Sequence, residues 1–150
     1  MYIKKFIKTI TLTFLLLVLV SCGKNEDKPS VEVLKFLSGI FVDVDGKYRF
    51  KETQNVPYKI GQSFGWHMYI RSNKENITYT EVIHLSDVGV WSDNLTVSTD
   101  RKSASGTRTV PNTGHIGTIW AIVEGDPKGE TSIDIYIDNK IVHTFYYNMQ

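Results

Sequence analysis

The chain has 150 residues, with 17 Lys plus Arg, 16 Asp plus Glu and a single cysteine. One domain is expected at this length, long enough to bury a core without the disulfide that a lone cysteine cannot form within the chain. A formal charge of +1 gives no electrostatic reason to expect nucleic acid as a partner.

Met1 to Thr9 is short and positive through Lys4, Lys5 and Lys8, and Ile10 to Val20 is an apolar run of 11 residues interrupted only by Thr11 and Thr13. Eleven residues of helix would span about 17 Å, well short of a ~30 Å hydrocarbon core. The pattern is that of an export signal rather than a membrane span. Leu19-Val20-Ser21-Cys22-Gly23 comes next. It resembles the lipobox of bacterial lipoproteins, in which an apolar residue and small residues precede a cysteine. The resemblance implies that residues 1–21 are a cleaved signal peptide and that the Cys22 thiol carries a diacylglycerol, its new amine usually acylated as well. Two or three acyl chains anchor a protein stably, where one does so only marginally.

Cleavage there would leave 129 residues with 14 basic against 16 acidic side chains, a formal charge of −2. Cys22 to Ser30 contains no apolar side chain beyond the cysteine and reads as a flexible tether. Gly23 is not the Asp that signals inner-membrane retention in enterobacterial lipoproteins. The expected address is therefore the bacterial cell envelope, lipid-anchored at the outer membrane, with its periplasmic or surface face left open.

Residues 31–150 read as one β domain. Val31–Leu37, Gly39–Val44 and Lys47–Lys51 are strand candidates, the last two meeting at Asp45-Gly46, a strong hairpin signal. Trp66, Met68 and Ile70 alternate with His67, Tyr69 and Arg71. After the polar turn 72–76, Ile77, Tyr79, Glu81, Ile83 and Leu85 alternate with Thr78, Thr80, Val82 and His84. Such period-two alternation is that of half-buried strands. Leu95–Thr99 and Thr107–Val110 are weaker candidates around the polar segment Asp100–Gly106. Ile116–Val123 is nearly continuously apolar, as a central strand would be. Glu124–Gly129 carries turn chemistry, and a terminal hairpin follows around Asn139-Lys140. The segment Gly125-Asp-Pro-Lys-Gly129 running into that hairpin resembles the late strands of bacterial immunoglobulin-like domains. The fold expected is an all-β, immunoglobulin-like sandwich of seven or eight strands.

Little in this domain points to chemistry. His67 and His84 would face each other if their strands paired about the 72–76 turn, but zinc takes four ligands or three plus water, and His115 and His143 are remote in sequence. No metal is expected. Glu81, Asp87, Asp93, Glu124 and Asp126 fall in no pattern of paired catalytic acids, and no Gly-rich phosphate loop or nucleophile elbow occurs. No catalytic residue and no cofactor is expected.

Trp66 and Trp120 lie on apolar strand patterns and are expected in the core, whereas Trp91 falls in the loop Ser86–Asn94. It either plugs one end of the sandwich or anchors a partner. Trp91 with Asp87, Asp93, Arg101 and Lys102 forms the candidate binding surface, and Tyr69, Tyr136 and Tyr146 add outer aromatic surface. The function expected is that of a membrane-anchored, non-enzymatic binding module meeting another envelope protein or an incoming one, an immunity- or inhibitor-like protein being one version. The alternative is an accessory subunit of an envelope complex docking through a strand edge; a hydrolase ranks third.

Overall fold

The computed structural model describes residues 30–150; the expected signal peptide, Cys22 and the expected tether up to Pro29 lie outside the described residues. Alternation of apolar and polar side chains dictates the local structure. Phe64, Trp66, Met68 and Ile70 form the buried side of β4 (Ser63–Arg71), and Ile77, Tyr79, Glu81 and Ile83 that of β5 (Asn76–Leu85). β1 (Glu32–Val44) and β2 (Lys47–Glu52) meet at Asp45-Gly46, whose φ angles of 55° and 75° are those of a two-residue type I′ turn. The two strands expected over 31–44 are one. Its first part pairs with β4 and its last with β2; the two ladders overlap at Gly39 and Ile40, and a Cβ at Gly39 would collide with the Lys51 carbonyl.

The remaining strands are β3 (Asn55–Val56), β6 (Thr96–Val97), β7 (Ser103–Pro111), β8 (His115–Ala121), β9 (Gly129–Ile137) and β10 (Lys140–Met149). They build a four-stranded sheet, β2-β1-β4-β8, and a six-stranded sheet, β3-β10-β9-β5-β7-β6. All pairings are antiparallel except that of β3 with β10. The result is the expected all-β sandwich. Its described strands number ten because two-residue β3 and β6 join the eight longer ones.

One pairing raised conditionally is not made, and three expectations need correction. β4 and β5 do not pair: the 72–75 connection carries the chain from one sheet to the other. β8 is not central but lies at the edge of the four-stranded sheet. Residues 103–106 are strand rather than loop, pairing with His84 to Glu81. The last hairpin turns on Asp138-Asn139, one residue earlier than read, with φ of 52° and 60°.

Facing side chains of the two sheets make the core. Trp66 stacks on Phe145 at 5.3 Å between ring centroids and meets Tyr79 edge-on at 5.5 Å. Met68, Ile77, Ile133 and Ile135 are fully enclosed around them. Each such side chain contributes about 1.5–3 kcal/mol by leaving water.

The two ends of the sandwich differ. At the end where Ser30 enters, the connections are short and polar. The Asp138 carboxylate accepts from the Ser30 hydroxyl and from Lys74 Nζ (3.1 Å), while Asn112 Nδ2 donates to the carbonyls of Ser72 and Lys74. β5 runs from this end to the other, a distance on the order of 30 Å at strand rise. There the longer connections 57–62, 86–95, 98–102 and 122–128 gather.

Candidate functional site at the loop end

The loop after β5 is held by its neighbours' backbones. The Ser86 hydroxyl donates to the Lys128 carbonyl (2.6 Å), and Leu85 N–H donates to the Lys102 carbonyl (2.8 Å). Arg101 forms the centre of the arrangement. It takes a left-handed φ of 58°, uncommon for a side chain other than glycine, and its carbonyl accepts from both Gly89 N–H (3.1 Å) and Trp91 Nε1–H (2.8 Å). Lys102 Nζ lies 3.3 Å from Asp87, whose other bond is to Val88 N–H. That amide, then Lys102, draws the exposed Asp87 carboxyl below its ordinary range.

Trp91, Asp87, Arg101 and Lys102 are therefore brought together, and Asp93 lies exposed in the same loop. Trp91 is half-buried and packed against the core, with its indole N–H engaged. It also forms one wall of a cavity of about 300 Å³. Val90 and Leu95 line the same side, Trp120 and Ile122 face them, and Phe64 and Met149 belong to the interior surface. Its polar lining is already occupied in part: Asp126 accepts from Val123 N–H at 2.9 Å, and the Asp126 carbonyl accepts from the Tyr58 hydroxyl at 2.6 Å. Such a volume stands at the small end of ligand cavities and suits one large apolar group.

A second feature was missed in the sequence. Glu81, only 1% exposed, accepts from Trp66 Nε1 (2.8 Å), Thr118 Oγ1 (3.0 Å) and Trp120 Nε1 (3.4 Å), and Arg108 Nε lies 3.4 Å away. Burial pushes its carboxyl above the usual range, opposed by the bonds from Trp66 and Thr118 and by the Arg108 charge. The signal was present: an acid stands between Tyr79 and Ile83 on the inward phase of β5. Its bonds tie β5 to β4 and β8. The Arg108 guanidinium lies 5.8 Å from the Trp120 ring centre, roofing the cluster from β7.

The remaining candidates separate. His67 is on the outer face of the four-stranded sheet and His84, bonded to Asp134 at 3.0 Å, on the outer face of the other. The whole core lies between them, so the facing pair considered from sequence does not form. Among the described residues no three His, Cys, Asp or Glu side chains gather as metal ligands would. Trp66 is buried and Trp120 partly buried, as expected of core residues. Tyr69 lies on the outer face of the four-stranded sheet and Tyr136 and Tyr146 on that of the six-stranded one, so the three share no single surface.

Residues 37–150 match the sequence profile of the PM0630 beta sandwich domain. No curated protein matches the chain in sequence. In structure the chain is similar to an immunoglobulin-like protein from Pseudomonas aeruginosa, with a TM-score of 0.62 at 15% identity over 83% of this chain and 99% of that one. An alkylpurine DNA glycosylase from Pseudomonas fluorescens, bound to DNA with an abasic site analog, is similar at a TM-score of 0.48 and 8% identity, over 81% of this chain and 31% of its own. The architecture is thus that of an immunoglobulin-like β-sandwich.

Proposed function

From the premise that the chain belongs to the PM0630 beta sandwich domain family, we propose that it is a lipid-anchored, non-enzymatic binding module of the bacterial cell envelope that engages a partner protein through its loop end. The observation that carries this reading is the apolar cavity walled by Trp91 and Trp120, at the end of the sandwich opposite Ser30. A tether attached through Cys22 would reach the domain at the Ser30 end and hold the cavity away from the lipid. An apolar recess with a tryptophan wall, with the exposed Asp87–Lys102 ion pair on the adjoining loops, suits an apolar side chain of another protein. The absence of enzymatic activity is part of the proposal. It is supported by the engagement of Glu81, Asp87 and Asp126 in bonds that maintain the fold.

Two experiments test this. With Cys22→Ser, the full chain is expected to lose its mature size and its membrane fractionation; a mature, membrane-bound form of that variant would refute the anchor. Anilinonaphthalene sulfonate, a small apolar fluorophore, is expected to bind the purified chain saturably, with binding lost in Val90→Asp and kept in Lys74→Ala. Equal binding to all three would refute the cavity as the recognition site. An inhibitor-like role is the special case in which the partner comes from outside the cell, and the identity of a crosslinked partner decides it.

A further inference from the structure

A four-stranded sheet faces a six-stranded one. Thr118 and Trp120 of β8 bond to Glu81 of β5, and Arg108 of β7 lies over Trp120. β8 therefore sits opposite β5, while β7 and β6 continue beyond it. The six-stranded sheet overhangs the free edge of β8.

That edge is open in its hydrogen bonding. Ile70 N–H bonds to the Gly114 carbonyl, and Ile122 N–H to the Gln62 carbonyl. In an antiparallel ladder these bonds fix the alternation between them: even-numbered residues of β8 turn their backbone groups to β4 and odd-numbered ones turn theirs outward. Two outward carbonyls are taken, that of Gly117 by the Tyr79 hydroxyl (3.2 Å) and that of His115 by Thr113 (3.4 Å). The N–H and C=O of Ile119 and Ala121 have no protein partner among the described residues, and Ile119 is 60% exposed.

Edges of this kind are usually blunted. β3 and β6 have two residues each, and β2 carries Lys47, Arg49, Lys51 and Glu52. β8, His-Ile-Gly-Thr-Ile-Trp-Ala, has no Lys, Arg, Asp, Glu or Pro and no break in register. Its sequence is that of a central strand, placed at an edge. The cavity at the loop end opens beside the same edge, since residues 120–123 form one of its walls and residues 90–92 and Leu95 another.

We infer that β8 pairs with an extended, uncharged segment of a partner polypeptide, which adds a fifth strand beneath the β7–β6 overhang and sets an apolar side chain into the cavity. This names the binding mode of the function proposed above and rests on it. A second copy of this chain is a poorer occupant. Antiparallel pairing of β8 with β8, about a two-fold axis normal to the sheet, would put both β7–β6 overhangs on one face and into the same space.

The test begins by selecting random short peptides on the full chain from a display library, then titrating the strongest binder against variants. Ile119→Pro and Ala121→Pro remove outward N–H groups, which an edge strand tolerates; each is expected to weaken binding about tenfold. Ile119→Ala keeps the N–H and is expected to change binding by less than about threefold. Amide protons of Ile119 and Ala121 should exchange freely in the chain alone and slow on peptide binding. A library that yields no binder, or a binder indifferent to both prolines with no exchange protection, would overturn the inference. If Val90→Asp abolished that binding while the prolines did not, the cavity reading would stand and the strand pairing would fall. If neither mattered, both would fall. Protection of Ile119 without peptide, with concentration-dependent dimers, would make a second copy the occupant and overturn the choice made here.

Discussion

At the Ser30 end of the sandwich, Asp138, Lys74, Ser30 and Asn112 close the short connections over one another with hydrogen bonds and an ion pair. At the other end, Trp91, Val90 and Leu95 line a recess that their loop leaves partly open, beside an edge strand whose outward backbone groups at Ile119 and Ala121 have no partner among the described residues. Both ends cap the same β-sandwich, so the fold does not require the difference. A sandwich end can be sealed by small polar turns, and this chain does so at the end that holds Ser30. An end left apolar retains free energy that a partner can release by covering it. The contrast predicts that changes at the loop end alter recognition, while changes at the Ser30 end touch only stability.

The largest effect is expected midway between the ends. Glu81→Ala leaves Trp66, Thr118 and Arg108 facing an empty acceptor and should cost about 3–5 kcal/mol. Glu81→Gln keeps acceptor oxygen and should cost about 1–3 kcal/mol, read by urea denaturation. Burial raises the Glu81 carboxyl above its ordinary value, so the folded chain holds a proton that the unfolded chain has already released. Its contribution to stability is therefore full below the ordinary glutamate range and declines as pH rises from there through the raised value. Glu81→Gln should flatten that slope, and an unchanged slope would assign it to other groups.

Trp91→Ala should cost about 2 kcal/mol, less than a fully buried tryptophan because Trp91 is half-buried, and should abolish fluorophore binding. Asn112→Ala removes two donated bonds at the Ser30 end and should cost about 1–2 kcal/mol, with fluorophore binding unaltered. Lys74→Ala breaks an exposed ion pair and should change stability by less than about 0.5 kcal/mol. Altered fluorophore binding in either Ser30-end variant would break the contrast between the ends.

The sequence made the strands legible where hydropathy alternates, as along β4 and β5, and where a turn needs left-handed residues, as at Asp45-Gly46. Which strands pair was not legible. The pattern of β4, a polar turn and β5 is the same for a hairpin as for a connection that crosses between sheets. β8 reads as a central strand because, after His115, its outward residues Gly117, Ile119 and Ala121 carry no polar side chain to mark the solvent side. Ser103 to Gly106 carry too little hydropathy contrast to announce a strand, although backbone pairing with β5 makes them one. The loop residues around Trp91 could be named from sequence. Their convergence on the Arg101 carbonyl could not, since it depends on a backbone conformation seldom taken by arginine.

Photo-crosslinking in cells tests the contrast most directly. A photoreactive residue would be placed singly at 90 and 123 at the loop end, and at 74 and 139 at the Ser30 end. A discrete protein adduct from positions 90 and 123, with none from 74 or 139, is the predicted result. Adducts from the Ser30 end alone, or equally from all four positions, would contradict the assignment of recognition to the end that carries Trp91.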